Sequence, residues 1–268
     1  MKYDFKHKLV VITGATGGIG RALAWRFAKV GAKIVLLDLN EEQLSALSYQ
    51  VEKSGTDVTS MVCDITDQQR CEEVFQYLRE SYGGIDVLIN NAGISQYSRF
   101  ADTQESVVRR LMEVNFFGAL HCTQAALSSI IERKGMIITL SSVLGLVPSP
   151  FRSGYSASKH ALHGLFESLR AELVNEDVHI MMACPGKTDT DIDKYILGGD
   201  GNMIQYYHSE EPKASPVDVA DAIYQAARNK RRLVIYAKVN LFEKLLYRYF
   251  PSYYEYKVIQ PKIKRVMG

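Results

Sequence analysis

Three residues have the types and spacing needed for proton transfer at an alcohol or carbonyl oxygen. Tyr155 and Lys159 lie four residues apart in the segment Tyr-Ser-Ala-Ser-Lys, and Ser142 lies thirteen residues before Tyr155. A helix places positions four apart on one face, so the Lys159 ammonium can lie beside the tyrosine ring and favour its phenolate. A free tyrosine has a pKa of about 10, and a neighbouring cation lowers it. Two such residues are more often a surface pair, so this interpretation depends on the elements around them.

A strand, a glycine-rich turn and a helix follow one another near the N-terminus. The apolar run 8–13 predicts a short buried strand, and the pattern 21–28 predicts a helix. Glycines let the backbone approach a pyrophosphate, and the first amides of the helix bind its charge. An ordinary glycine-rich turn is the alternative, which the second strand that follows makes unlikely. The predicted phosphate-binding residues are Gly14, Thr16, Gly17, Gly18, Ile19 and Gly20.

The second apolar run, 33–38, ends in the acidic residue Asp38. A carboxylate at this position can accept hydrogen bonds from both adenosine ribose hydroxyls, and it would repel a 2′-phosphate. No cation in the glycine loop or just after the strand favours the phosphate. The sequence therefore predicts NAD rather than NADP. Asp38 could instead cap the next helix, a task that Asn40 could also perform.

Several motifs occur in the order and spacing of one known family. The sequence resembles a short-chain dehydrogenase/reductase from about Lys8 to about Ala237. The matching motifs are Thr13-Gly14-x-x-x-Gly18-x-Gly20, Asp64, Asn90-Asn91-Ala92-Gly93, Asn115, Ser142, Tyr155 with Lys159, and Pro185-Gly186. Together they make a chance match remote. The resemblance implies an α/β fold with a Rossmann-type, doubly wound parallel sheet of seven strands flanked by helices.

Apolar runs alternate with helical patterns along the chain, which agrees with that fold. Strands are predicted near 8–13, 33–38, 57–63, 85–90, 135–141, 178–184 and 232–237, and two of the helices between them at 103–131 and 153–175. A single domain, 1–237, would then carry the cofactor and substrate sites. A C-terminal extension, 238–268, follows it.

The resemblance also assigns four catalytic roles. Tyr155 would transfer a proton, and Ser142 would stabilise charge on the substrate oxygen. Lys159 would lower the pKa of Tyr155 and hold the nicotinamide ribose. Asn115 would keep a water molecule in a proton relay, or it might equally satisfy backbone groups within its helix.

The same resemblance implies further cofactor contacts beyond the glycine loop and Asp38. In the family an aliphatic residue usually stands at the position of Thr188, whereas Thr190 occupies the family's hydroxyl position. The implied contacts are Asp64, Ile65, Asn91, Ala92, Gly93, Tyr155, Lys159, Pro185, Gly186, Thr188 and Thr190.

The substrate side is expected to be apolar. The stretch 142–151 lines the approach to the active site in family members, and its composition favours a hydrophobic alcohol or ketone, although such residues as often only pack against a strand. Segment 186–215 would form a lid over the substrate, with glycines as hinges or in a plain surface loop. The candidate substrate contacts are Ser142, Leu144, Phe151 and Tyr155.

Composition restricts the remaining possibilities. The 268 residues are 47% hydrophobic and 23% charged, which suits one globular domain, and the net charge of +2 gives no sign of nucleic-acid binding. Four scattered cysteines predict buried thiols rather than a metal site. The polar segment 1–8 does not resemble a signal peptide, so we expect a cytoplasmic protein.

The chain from Arg228 onward holds eleven Lys or Arg against two Glu, while the remainder carries a net charge of −7 from 21 basic and 28 acidic residues. Many aromatic residues are interleaved. This composition predicts either peripheral contact with an anionic membrane surface or packing on a neighbouring subunit or over the substrate cleft. The apolar runs are shorter than the roughly 20 residues that span a bilayer. By family analogy the protein forms a homodimer or homotetramer through the helices 103–131 and 153–175.

Two functions from different classes follow. The favoured one is an NAD(H)-dependent oxidoreductase that interconverts a secondary alcohol and a ketone on a lipid-like or steroid-like substrate, with alcohol oxidation as the expected direction. The alternative is a non-catalytic NAD(H)-binding redox sensor or scaffold at a membrane surface, for which loss of Tyr155 or Lys159 would be the mark. An epimerase or dehydratase would carry a differently spaced glycine loop.

Overall fold

Seven parallel strands form the central sheet of the computed structural model. The order across the sheet is β10-β7-β6-β4-β1-β2-β3. The strands are β1 Leu9–Thr13, β2 Lys33–Asp38, β3 Val58–Val62, β4 Val87–Asn90, β6 Met136–Leu140, β7 His179–Pro185 and β10 Leu233–Tyr236. This confirms the predicted fold class, and each predicted strand is present with ends shifted by at most two residues.

The structure describes residues 2–190, 192, 196–204, 213–237 and 241–267, and only the backbone of 241–244 and 265–267. Part of the expected lid, including Tyr195, Tyr206 and Tyr207, lies outside these residues.

Helices cover both faces of the sheet. They are α1 Gly18–Ala28, α2 Glu41–Glu52, α3 Gln68–Tyr82, α4 Glu105–Met112, α5 Gly118–Glu132, α6 Ser153–Glu172 and α7 Pro216–Arg228. In β1, Val10 and Ile12 join the core under α1, α2 and α7, whereas Leu9 and Val11 join the core under α3, α5 and α6. Burial on both faces explains why these strands read as continuous apolar runs.

The chain reverses direction across the sheet at β1. From β1 it proceeds to β2 and β3 on one side, and from β4 to β6, β7 and β10 on the other. The loops that leave the carboxyl ends of β1 and β4 therefore diverge and open a crevice, which is where ligands bind in open α/β sheets.

A second, smaller sheet borders the segment expected to form the lid. Its strands are β5 Ser95–Gln96, β8 Ile196–Leu197 and β9 Met203–Ile204. Strands of two residues show no readable periodicity, and the sequence did not predict them. The predicted helix 103–131 is present as α4 and α5 joined by a π-helical turn, Glu113–Phe117.

The C-terminal extension is helical from residue 241. It contains α8 Leu241–Tyr249, α9 Pro251–Tyr254, a π-helical turn Glu255–Ile259 and α10 Gln260–Met267. The described part of the chain contains no helix with the length and apolar character needed to cross a bilayer.

A buried carboxylate, Asp86, joins several elements at the amino end of the sheet, opposite the crevice. Its side chain is 1% exposed and accepts hydrogen bonds from Lys8 Nζ at 3.0 Å, the Leu9 amide at 3.0 Å and Arg133 Nε at 3.0 Å. Burial alone would raise the pKa of Asp86, but these bonds together lower it below the ordinary value.

We expect Asp86→Ala to lower the free energy of unfolding by about 3 kcal/mol, because it leaves the buried Leu9 amide and two cations without their acceptor. Denaturant titration measures this change. Because the folded-state pKa is lowered, the contribution of Asp86 is present above the ordinary carboxylate pKa and is lost as the pH falls through the folded value. The free energies of unfolding of the wild type and of Asp86→Ala should therefore converge in acid.

Asp57→Ala is the matched control. Asp57 pairs with Lys33 at 3.2 Å, and both side chains are about half exposed. Removing an exposed pair should cost less than about 1 kcal/mol. An equal loss in the two variants would contradict a special role for Asp86.

Candidate active site

A cleft of about 2250 Å³ lies at the carboxyl ends of the central strands. Every residue that the sequence analysis named as a cofactor or substrate contact lines it. Asn115 is the exception among the named site residues, because it is 1% exposed and lies behind the lining.

The glycine loop is shaped by two close backbone approaches. Gly14 has a φ of +62°, and a Cβ there would lie 2.7 Å from the Ala92 Cα; a Cβ on Gly18 would lie 2.7 Å from the Thr190 Cγ2. Only glycine fits both positions. The N-cap residue of α1, Gly17, provides no side chain to the first-turn amides, so these amides face the cleft as an anion site.

Hydrogen bonds hold the glycine loop against the loop after β4. Thr13 Oγ1 accepts from the amides of Asn91 and Ala92, both at 3.1 Å. Asn91 Nδ2 donates to the carbonyls of Thr13 and Gly14, both at 2.9 Å. Asn91 is an expected cofactor contact. Its backbone and side-chain amides also hold the glycine loop on which the cofactor would lie. Thr13 was in the motif but was not identified as a site residue.

Asp38 is oriented by its neighbours at the end of β2. Its Oδ2 accepts from the Thr16 amide at 2.9 Å and from Thr16 Oγ1 at 2.7 Å, and Oδ1 accepts from the Leu39 amide at 2.7 Å. Asn40 caps α2 through the Gln43 amide at 2.9 Å, so the alternative of Asp38 as the helix cap is wrong. The carboxylate remains in the cleft wall.

The guanidinium of Arg21 approaches the glycine loop. Sequence reasoning missed this residue. Arg21 Nε donates to the Thr16 carbonyl at 2.6 Å and Arg21 Nη2 to Gln43 at 3.2 Å. Arg21 does not line the cleft. Further along the same wall, Asp64 Oδ1 accepts from the amide and hydroxyl of Thr66 at 2.9 and 2.7 Å, which closes a tight turn.

Tyr155 and Ser142 meet at the inner end of the cleft. Ser142 follows β6, and its Oγ accepts from the Leu144 amide at 3.2 Å. Tyr155 lies in the first turn of α6. Burial raises the pKa of Tyr155, while a hydrogen bond with Ser142 and the charge of Arg152 partly oppose that effect.

Lys159 lies one turn further along α6 and is 4% exposed. Its Nζ donates to the Leu140 carbonyl at 2.9 Å and lies 5.8 Å from the centroid of the Tyr155 ring. Burial lowers the pKa of Lys159 to about 8. Burial disfavours the charged forms of both groups, and the charge of Arg152 partly offsets this effect at Tyr155. A lowering of the Tyr155 pKa by Lys159 stays a prediction.

Asn115 projects from the π-helical turn between α4 and α5. Its Oδ1 accepts from the Ile94 amide at 2.8 Å, and its Nδ2 donates to the Ile94 carbonyl at 3.0 Å and to Ser158 Oγ at 2.9 Å. Asn115 therefore bonds to backbone groups, but these belong to the neighbouring loop at Ile94 and not to its own helix. A Cβ on Gly93 would lie 3.1 Å from Asn115 Oδ1 and 3.3 Å from Lys159 Nζ, so both converge on that glycine.

Several residues of the outer cleft were missed by sequence reasoning. Arg152 Nη1 donates to Ser95 Oγ at 2.6 Å, and its guanidinium lies 5.4 Å from the Tyr97 ring. Lys262, on α10 of the C-terminal extension, also lines the cleft. No local pattern marks these positions, because they are joined only by the fold.

The substrate side of the cleft has a largely apolar wall. The Phe151 ring packs 5.4 Å from the Tyr97 ring, and Phe151 has a positive φ of 64°, an uncommon conformation for a non-glycine residue. The apolar lining residues on this side are Ile94, Val114, Leu144, Val147, Pro150, Phe151, Leu197 and Met203.

The chain belongs to the short-chain dehydrogenase family, whose model matches residues 8–199 under the description "short chain dehydrogenase". A bovine protein named Dehydrogenase/reductase SDR family member 7B is 36% identical over 247 residues, which cover 88% of this chain and 75% of the relative. Human Dehydrogenase/reductase SDR family member 7 is 35% identical over 205 residues, which cover 74% of this chain and 60% of the relative.

Solved structures of short-chain dehydrogenases have the same fold as this chain. A short-chain dehydrogenase/reductase from Burkholderia phymatum, crystallised with NAD, has a TM-score of 0.84 at 24% identity and covers 94% of this chain and 96% of its own. A short-chain dehydrogenase from Mycobacterium paratuberculosis, bound to NAD, has a TM-score of 0.77 at 26% identity and covers 87% of this chain and 97% of its own. The family places the protein among the oxidoreductases.

We expect Lys159→Met to raise the free energy of unfolding at pH 7 by about 2 kcal/mol, because it removes a buried amine that is protonated against its environment. The penalty is present below a pH of about 8 and fades as the pH rises towards the ordinary lysine value, since the amine is then neutral in both states. Thermal unfolding measured across this range tests the prediction.

Lys134→Met, at a lysine whose side chain is exposed, is the control. A stability gain for Lys159→Met that does not depend on pH would show that packing, not charge, is its cause.

Proposed function

We propose that the protein is an NAD(H)-dependent oxidoreductase that interconverts a secondary alcohol and a ketone on a hydrophobic substrate. The observation that carries this proposal is that Tyr155, Ser142 and Lys159 line the same apolar-walled cleft, with Lys159 one helical turn from Tyr155 and its Nζ 5.8 Å from the Tyr155 ring centroid. A proton-transferring phenol and a hydroxyl donor can then bind one substrate oxygen together.

The chain's own residues would handle the proton and the charge on that oxygen. The bound nicotinamide would accept or supply the hydride at the carbinol carbon. In oxidation Tyr155 would take the hydroxyl proton, and in reduction it would return it. Ser142 would donate a hydrogen bond to the same oxygen and stabilise charge that develops there.

Lys159 and Asn115 would connect Tyr155 to solvent. The Lys159 amine has a pKa of about 8, so it can exchange a proton near neutral pH. The same ammonium would hold the nicotinamide ribose hydroxyls. Asn115 fixes the loop carbonyl of Ile94 beside it and is the proposed holder of a relay water.

The preference for NAD over NADP rests on Asp38. Its carboxylate is fixed in the cleft wall by Thr16 and the Leu39 amide, and the guanidinium of Arg21 is bonded to Thr16 and Gln43 outside the lining. Two structural neighbours were solved with NAD, and an alcohol dehydrogenase from Thermococcus sibiricus, with a TM-score of 0.76, was solved with 5-hydroxy-NADP. The choice between NAD and NADP must therefore depend on residues of this chain rather than on the fold.

The proposal includes the remaining expectations from the sequence. Residues 1–237 form the catalytic unit, the segment 186–215 covers the substrate, and the protein assembles as a homodimer or homotetramer. The described part of the lid supports its position, because Leu197 and Met203 line the cleft. Because a hydrophobic substrate dissolves in lipid, the proposal also includes peripheral contact between a cytoplasmic enzyme and a membrane.

We expect Tyr155→Phe to reduce ketone turnover by at least about a thousandfold while NADH affinity changes little, because the lost hydroxyl acts on the substrate. The measurement is NADH fluorescence titration followed by a panel of ketones and secondary alcohols of increasing hydrophobicity. Tyr82→Phe is the control, since it removes a phenol bonded to Thr59 outside the cleft. Retained turnover in Tyr155→Phe would exclude Tyr155 as the acid and base, and tight binding without turnover in the wild type would favour the sensor alternative.

We expect Asp38→Ala to shift the ratio of NADH to NADPH affinity towards NADPH by on the order of tenfold or more, because it removes a ribose acceptor and a repulsive charge. Fluorescence titration with both cofactors measures the ratio. Asp64→Ala, further along the same wall, should weaken both cofactors alike. An unchanged ratio in Asp38→Ala would contradict the proposed basis of selectivity.

A further inference from the structure

Exposed aromatic side chains are concentrated in the C-terminal extension. Tyr249, Phe250, Tyr253 and Tyr256 are each more than half exposed. Single exposed apolar residues are ordinary on a protein surface, but four within eight residues form a patch. Patches of this kind mark contacts with proteins, ligands or membranes.

The exposure of this patch is a fixed property of the folded segment. Tyr254 is fully buried, and its ring packs 5.5 Å from the ring of Tyr247 on the preceding helix. The amide of Tyr254 also donates to the Phe250 carbonyl at 3.0 Å. The segment therefore has a buried side, which leaves Tyr253 and Tyr256 facing outward.

Positive charge lies on the same outward side. The extension holds seven Lys or Arg against two Glu. Among them Arg248, Lys257 and Lys264 have exposed side chains, and Lys257 Nζ lies 5.2 Å from the centroid of the Tyr256 ring. Lys257 directly follows Tyr256 in the chain, so this charge and this ring share one exposed part of the surface.

We propose that the outward face of the C-terminal extension docks on an anionic lipid bilayer. The aromatic rings of Tyr249, Phe250, Tyr253 and Tyr256 would enter the headgroup region, and Arg248, Lys257 and Lys264 would contact lipid phosphates. Tyrosine and lysine suit this interface, since each combines an apolar stem with a polar end. The combination of an apolar patch and basic charge is typical of peripheral membrane segments.

Charge also distinguishes a bilayer from a second copy of this face. A two-fold dimer through the extension would bring the same surface of two chains together. Each extension carries an excess of five positive charges, and like charges brought into contact oppose association. An anionic bilayer complements that charge instead.

The docked face lies next to the entrance of the candidate active site. Lys262, on α10 of the same extension, lines the cleft. Docking would therefore bring the cleft entrance to the lipid surface, where a hydrophobic alcohol or ketone is dissolved. The docking specifies the peripheral membrane contact of the proposed function, and this consequence also rests on the proposed oxidoreductase activity.

Vesicle sedimentation with the full chain tests the docking. The vesicles are phosphatidylcholine alone or phosphatidylcholine mixed with phosphatidylglycerol. We expect binding only to the mixed vesicles, with loss of binding at high salt. Tyr256→Ser combined with Lys257→Gln should weaken partitioning by on the order of tenfold, since one basic residue near an anionic surface alone contributes roughly fivefold.

The chain offers a matched control pair on α2. Lys53 Nζ lies 4.4 Å from the Tyr49 ring, and both residues are exposed on a helix away from the extension. Tyr49→Ser combined with Lys53→Gln should leave partitioning within twofold of the wild type. Equal losses in the two double variants would overturn the proposal. So would a change of oligomeric state in sedimentation velocity for the extension variant without a change in lipid binding.

An activity measurement separates this inference from the proposed function. Mixed vesicles should raise the turnover of a long-chain ketone in the wild type and in the α2 control, but not in the extension variant. A short water-soluble ketone should react equally in all three proteins. Vesicle binding without turnover of any ketone would defeat the proposed function and leave the docking intact, whereas turnover without vesicle binding would do the reverse.

Discussion

One close backbone contact holds the two halves of the active site in place: Gly14 lies so near Ala92 that no side chain fits between them. This contact joins the loop after β1 to the loop after β4, and Thr13 and Asn91 bond across it. The cofactor half of the cleft is therefore fixed to the loop that continues to Gly93 and Ile94. That loop also receives Asn115 and the Lys159 amine, so one backbone segment sets the distance between the cofactor site and the catalytic groups.

Burial governs the electrostatics of the catalytic groups. Lys159 is buried and Tyr155 is partly buried in the cleft wall, and burial makes each less easily ionised than in solution. A lysine that is protonated against its surroundings destabilises the fold, which is a common cost of a functional site. The structure offsets part of it through the Leu140 carbonyl, and Arg152 provides a second cation near Tyr155. The ionisation of Lys159 thus affects both the proposed activity and the stability of the fold.

The C-terminal extension extends the site beyond the sheet. It contributes Lys262 to the cleft and leaves an aromatic, basic face outward. Of the alternatives left open by the sequence, the structure supports contact with the substrate cleft through this residue, and the docking proposal concerns the exposed face beside the cleft entrance. These two roles use different residues of the extension.

The sequence by itself determined the sheet, its seven strands and the glycine loop, because buried parallel strands are continuous apolar runs and tight phosphate turns need glycine. It also identified Tyr155, Lys159 and Ser142 from spacing and resemblance. Only the tertiary structure placed Asn115 in a π-helical turn beside Ile94. It also showed that Thr16 fixes Asp38. The residues that packing alone brought to the cleft are Arg152, Tyr97 and Lys262. The tertiary structure also showed that burial, which the sequence did not reveal at Tyr155, raises the pKa of that residue. Local sequence specifies local backbone, whereas burial and contacts between distant segments arise only when the chain packs.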